Sequence, residues 1–157
     1  MVRMRILCVG RTDAGFIREG VEHYLKRLRP LQAVEWEEVR AAGHSGRSEA
    51  QALAAEGEAI LKRVKASERL ILLDEKGRAV TSPGLAEWLE RLQRMDFTSA
   101  VLLIGGSFGI SPEVKRRADE KLSLSPLTLP HQLVRIVLLE QLYRAATILA
   151  GQPYHHG

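Results

Sequence analysis

The sequence predicts an α/β domain built on a mostly parallel sheet flanked by helices, and three observations carry that reading. Segments of strand length alternate with segments of helical period along the whole chain. The strand segments at 5–10, 69–74 and 100–104 hold contiguous apolar runs, not alternating ones. Strands covered by helices on both faces have that pattern. The run from Ala100 to Ile104 then breaks into Gly105-Gly106, followed by Gly109 and the helix-start pair Ser111-Pro112. Bare backbone is thereby placed at the carboxyl edge of a sheet, where open α/β folds bind their ligands. The glycines alone fit a ligand-free tight turn equally well.

The first strand covers 5–10, with Ile6, Leu7, Cys8 and Val9 contiguous. A loop at 11–15 leads into a helix over 16–29. Phe16, Gly20, Tyr24 and Leu28 repeat every four residues there, with Ile17, Val21 and Leu25 beside them. Pro30 stops that helix. Residues 33–39 alternate, which predicts a strand with one wet face at a sheet edge. Residues 41–47, AAGHSGR, read as a mobile loop. Ser48 caps a helix running to about 65. A third strand at 69–74 is followed by a turn at Glu75-Lys76-Gly77. Ser82-Pro83 opens a helix to about 95 that carries Leu85, Trp88, Leu89 and Leu92. After the strand at 100–104 come a short helix at 112–120 and a last short strand at 121–124. No repeat or linker interrupts this order, so residues 1–157 read as one domain.

Bulk properties narrow the function classes. The chain is 45% hydrophobic and 27% charged, enough for both a core and a soluble surface. Arg135, Glu140 and Arg144 break the longest apolar stretch, which argues against a membrane partner. The short apolar N-terminal piece has no signal-peptide character. The lone Cys8 sits in a strand pattern as a small hydrophobe. Together these predict a cytoplasmic protein. The net charge of +4 is a mild bias toward an anionic partner. Aromatics at 5% argue against a base-stacking sheet.

Two late stretches stand out. Residues 125–131, SPLTLPH, hold two prolines and cannot continue a strand or helix. Yet Leu127 and Leu129 are apolar, so the loop is expected to be partly buried. Either a ligand takes its backbone hydrogen bonds or the loop is a packed connection. From there a helix runs to about 150, apolar around most of its circumference. The second apolar side predicts another copy of the chain, a homodimer formed largely by this helix with Leu138 and Leu142 at the interface. Gly151 ends the helix. The tail QPYHHG either frays or closes over a site. Its adjacent histidines make no metal site without partners from elsewhere.

Common nucleotide and catalytic motifs are absent. Residues 10–15 have the wrong spacing for a dinucleotide fingerprint, and Gly15 is not followed by the Lys-Ser/Thr of a phosphate loop. There is no G-x-S-x-G, H-E-x-x-H or C-x-x-C. What remains is a specific combination: Leu102-Leu103-Ile104-Gly105-Gly106, Gly109-Ile110-Ser111-Pro112, Leu122-Ser123-Leu124-Ser125, Thr128-Leu129-Pro130-His131, Leu142-Tyr143-Arg144-Ala145 and Pro153-Tyr154-His155. With these motifs the chain resembles the bacterial 23S ribosomal RNA pseudouridine-N3-methyltransferases of the SPOUT superfamily over its whole length. It departs at His156, where a basic residue is expected.

The resemblance implies a C-terminal trefoil knot, against the general rarity of knots. It implies a homodimer packed through the knotted region, S-adenosylmethionine as cofactor, and ribosomal RNA or the ribosome as partner. Carried over by position, the cofactor residues are Leu73, Gly105, Gly106, Ser125, Pro126, Leu127, Thr128, Leu129 and Pro130. Methylating N3 requires loss of its proton, and histidine suits such work near neutral pH. His155 is therefore expected as base or orienting group, with Tyr154 bonding or stacking on the uracil. Arg144 is expected to neutralise phosphate or the uracil anion. A Glu140–Arg144 helix pair worth ~0.3–0.5 kcal/mol is its plain alternative. Arg11, Lys26, Arg27, Arg47, Lys115, Arg116 and Arg117 are candidate RNA contacts. A non-catalytic ribosome-binding factor on the same fold is the alternative function, and no metal is expected.

Overall fold

The computed structural model describes residues 2–43 and 46–157. Five parallel strands form one sheet in the order β2-β1-β4-β3-β5. They are β1 (Arg3–Val9), β2 (Val34–Val39), β3 (Arg69–Ala79), β4 (Ser99–Ile104) and β5 (Glu120–Ser123). The helices are α1 (Phe16–Leu28), α2 (Glu49–Leu61), α3 (Ser82–Gln93), α4 (Pro112–Arg117) and α5 (His131–Leu149). The glycine-ended strand, β4, is the middle of the five, and alternating β2 is an edge. Of the predicted loop at 41–47, His44 and Ser45 lie outside the described residues.

The contiguous apolar runs are explained by two cores. Met4, Ile6, Cys8, Ala100, Leu102 and Ile104 point to the side of α1, α3 and α5. Leu7, Val9, Leu70, Leu72, Val101 and Leu103 point to the side of α2 and α4. Burial pushes the Cys8 thiol up to about 12, which makes it inert.

Local signals set the helix starts. Ser48 forms a complete capping box with Gln51, Thr81 caps α3 one residue before the expected Ser82, and Ser111 caps α4. Helix α2 stops at Leu61, four residues short of the expected end.

Two expectations need correction. The turn at 75–77 does not end β3. Leu122 of β5 pairs with both Leu73 and Arg78, so residues 74–77 are looped out inside one strand. Gly77 permits this, because a Cβ there would lie 2.8 Å from the Lys121 carbonyl carbon. The second correction concerns α5. Leu138 and Leu142 are fully buried within the chain, so they are core residues and not an outer face. Leu133 and Val137 are half exposed, one turn apart, and outside both cores.

Candidate functional site: a cavity and a polar cluster set apart along one helix

A cavity of about 480 Å³ opens at the carboxyl edge of the sheet. That is ample for a small-molecule ligand. Three loops and the start of α5 build it. The looped-out segment of β3 contributes Leu73, Asp74, Glu75 and Lys76, and the β4 end contributes Ile104, Gly105 and Gly106. The proline-bounded loop contributes Ser125, Leu127, Thr128 and Leu129. Lys115 of α4 and His131 of α5 stand at the rim.

The glycine loop is shaped by the protein itself. Gly109 donates to the Gly106 carbonyl at 3.1 Å and closes a tight turn. A Cβ on Gly106 would meet Val9 Cγ1 at 3.0 Å, so β1 already occupies that side. The 123–127 segment holds its own shape: the Ser123 hydroxyl donates to the Ser125 carbonyl at 2.9 Å, and the Leu127 amide donates to Ser125 Oγ at 3.0 Å. Leu127 is left 70% exposed, an apolar side chain that a ligand would cover. Of the expected cofactor residues, Pro126 and Pro130 do not line the cavity; Pro130 precedes the first residue of α5. Asp74, Glu75, Lys76 and His131 were not expected at the site, and Lys115, expected as an RNA contact, lines the cavity instead. The apolar strand pattern ends at Leu73, and the turn signal at Glu75-Lys76-Gly77 does not show that residues 74–77 are looped out within a strand that continues.

The expected catalytic residues gather elsewhere. Gly151, at φ 70°, turns the chain after α5, and the tail folds back along the helix. Arg144 donates from Nε to Glu140 Oε1 at 3.0 Å and from Nη2 at 2.5 Å. Its Nη1 lies 3.2 Å from His155 Nδ1. The Tyr154 hydroxyl donates to the same Glu140 oxygen at 3.2 Å. Tyr154 packs edge-on against Tyr143, with ring centres 4.7 Å apart. It lies between two guanidiniums, Arg144 at 4.7 Å and Arg27 at 5.4 Å from the ring centre. Burial raises the Tyr154 pKa, and the Glu140 charge adds to the effect. The hydrogen bonds to Glu140 raise that of Arg144. The tail is therefore docked and not frayed.

Cavity and cluster do not meet in one chain. Helix α5 rises about 1.5 Å per residue, so Glu140 and Arg144 stand roughly 13 and 20 Å along it from His131 at the cavity rim. Among the described residues no group of three His, Cys, Asp or Glu is placed to hold a metal, and no helix is long and apolar enough to cross a membrane.

A family model described as "Predicted SPOUT methyltransferase" matches residues 2–155. The chain belongs to the SPOUT methyltransferase family. Among relatives, the "Ribosomal RNA large subunit methyltransferase H" of Syntrophotalea carbinolica is 43% identical, with 99% of each chain covered. The protein of the same name from Anaeromyxobacter sp. (strain K) is 44% identical, covering 98% of this chain and 99% of its own. A probable methylase family protein from Haemophilus influenzae Rd KW20 shares the fold. Its TM-score is 0.53 at 11% identity, covering 99% of this chain and 71% of that one.

Proposed function

We propose that this chain is an S-adenosylmethionine-dependent methyltransferase of large-subunit ribosomal RNA, acting as a homodimer on N3 of a pseudouridine. Relatives spanning the full length carry the name of that RNA class, and the motifs named above support the N3 position. The knotted threading of the C-terminal segment belongs to the same reading. So does a cytoplasmic location, where such an RNA is found.

The observation that carries the dimer is the separation of cavity and cluster along α5. Two α5 helices packed antiparallel across a two-fold axis would set each tail cluster beside the partner's cavity. Leu133 and Val137, half exposed and outside the cores, suit such packing.

The cavity residues fit the cofactor in kind. Leu127 and Leu129 offer apolar cover for a purine, and the backbone of 105–106 and 125–129 offers donors and acceptors to its edges. Asp74, Glu75, Lys76 and Lys115 give both signs of charge for an amino-acid end. When bound, the cofactor supplies an electrophilic methyl group on a sulfonium. The protein's work is then alignment of N3 with that group and exclusion of water. Tyr154 offers a ring for the uracil, and the Arg144–His155 pair offers a polar edge. Exposed Arg11, Lys26 and Arg47 remain candidates for RNA phosphates. Arg117 is less suited, since it donates to the Lys65 and Glu68 carbonyls.

The test is transfer of labelled methyl to free 23S RNA, large subunits and assembled ribosomes, with sedimentation of the enzyme. Incorporation at a pseudouridine N3 in one of them is expected. A Val137→Glu chain should sediment as a monomer, bind cofactor and transfer nothing. No incorporation into any of the three would overturn the reading.

A further inference from the structure

The Arg144–His155 contact fixes a proton, and with it a role. A guanidinium N–H can only donate, so Nδ1 of His155, 3.2 Å from Arg144 Nη1, must accept. The ring proton of this imidazole therefore sits on Nε2. Arg144 is itself held by two bonds to Glu140, and Glu140 also takes the Tyr154 hydroxyl on Oε1 and the Gln141 amide on Oε2. Each of these bonds presents a donor to the next acceptor, and Glu140, the carboxylate within the cluster, is fully used. The other groups facing it from α1 and α5 are Arg27 and Tyr143, bonded at 3.2 Å, and Tyr24. None is a free base. Nε2 has no bond among the described residues. Its neighbour is Gly157, where a Cβ would sit 2.9 Å away, so the absence of a side chain keeps that edge open.

We propose that His155 acts as a neutral hydrogen-bond donor through Nε2–H to a uracil carbonyl, and that it is not the general base. This rests on the proposed function and refines it. N3 of the base lies between two carbonyls. When its proton leaves to a water molecule, the negative charge spreads onto their oxygens. A donor fixed at one oxygen lowers the cost of that anion. The N3 lone pair then forms the new bond to the methyl carbon. The carbon–sulfur bond breaks and its electron pair stays on sulfur. Arg144 is a positioning residue that sets the tautomer.

Two measurements test this on the full-length protein. Nitrogen-15 NMR of the histidine side chains at neutral pH should show His155 with a bare Nδ1 and a protonated Nε2. Arg144→Lys should scramble that signature while the fold is retained. In methyl transfer, His155→Ala should lose about 10²-fold in rate, the usual effect of removing one such donor. His155→Gln, which can donate but cannot act as a base, should recover most of that loss. A His155 with its proton on Nδ1, or a His155→Gln enzyme as slow as His155→Ala beside an active wild type, overturns the donor role alone. A wild type that transfers no methyl overturns the function as well.

Discussion

The two ends of the sheet are both polar, but they use their polar groups differently. At the amino end, Arg5 of β1 bonds Glu37 of β2 at 2.9 Å and Glu68 beside β3 at 2.8 Å. Glu68 also accepts from the Lys65 amide at 2.8 Å and from the Ser99 hydroxyl of β4 at 2.5 Å. Asp119 accepts from the Leu70 amide, and Arg117 closes on Asp119. Four neighbouring strands are cross-tied there, and Glu37, Glu68 and Asp119 are each matched. At the carboxyl end, β3 loops out, β4 dissolves into glycines, and Lys76 and Lys115 stand at a cavity rim with no ion pair among the described residues. One end spends its charges on the fold, and the other leaves them for a ligand. Cutting into each should therefore cost different things.

The largest effect should come from the docked tail. Removing residues 152–157 should cut methyl transfer by at least the ~10²-fold of a lost positioned group. Cofactor affinity by calorimetry should stay near wild type. Equal rates would reduce the tail to a packing element.

Next comes the glycine loop. Gly106→Val drives a side chain into Val9, so the loop must shift away from β1. Cofactor affinity should fall at least about tenfold while circular dichroism stays native. Unchanged affinity would remove the loop from the cofactor site.

The amino end should show the reverse. Arg5 is largely shielded, and its loss would leave Glu68 without a cation and Glu37 with only Arg63 at 3.7 Å, so Arg5→Ala should cost roughly 3 kcal/mol in urea unfolding. Methyl transfer per folded molecule should not change. A drop in rate at equal folding would mean that the two ends communicate.

The smallest effect separates the ends by pH. Burial works against the Glu68 charge, but bonds from the Lys65 amide, Ser99 and Arg5 outweigh it and hold the carboxyl below its usual range. A depressed carboxylate lends stability that is present above its unfolded pKa. That stability is lost as pH falls through the folded one. Glu68→Gln should flatten this acid branch of the stability curve, measured by thermal melts. An unchanged branch would place the acid sensitivity elsewhere.

Much of this was readable in the chain, for physical reasons. Among the described residues, the five strands and five helices follow from local periodicity and caps: contiguous apolar runs for buried strands, Ser48 and Ser111 for helix starts, Pro30 for a stop. The glycine loop and the apolar members of the proline-bounded loop fell on the cavity because backbone that leaves regular structure at a carboxyl edge is visible as composition. The motifs named the family, which the full-length match bears out.

Other features depend on partners far along the chain. The segment Asp74–Gly77 reads as a turn, and only pairing of Arg78 and Ala79 with β5 makes it a loop inside a strand. The apolar circumference of α5 hides which side is core. Packing against α1 and α3 assigns Leu138 and Leu142 inward and leaves Leu133 and Val137 half exposed. Glu140 and Arg144 are a legible i,i+4 pair, but His155 joins them only because the chain reverses at Gly151 and lays the tail back along the helix. Periodicity records what each residue prefers to touch locally. Which distant residue satisfies Nδ1 of a histidine is decided by the path of the whole backbone.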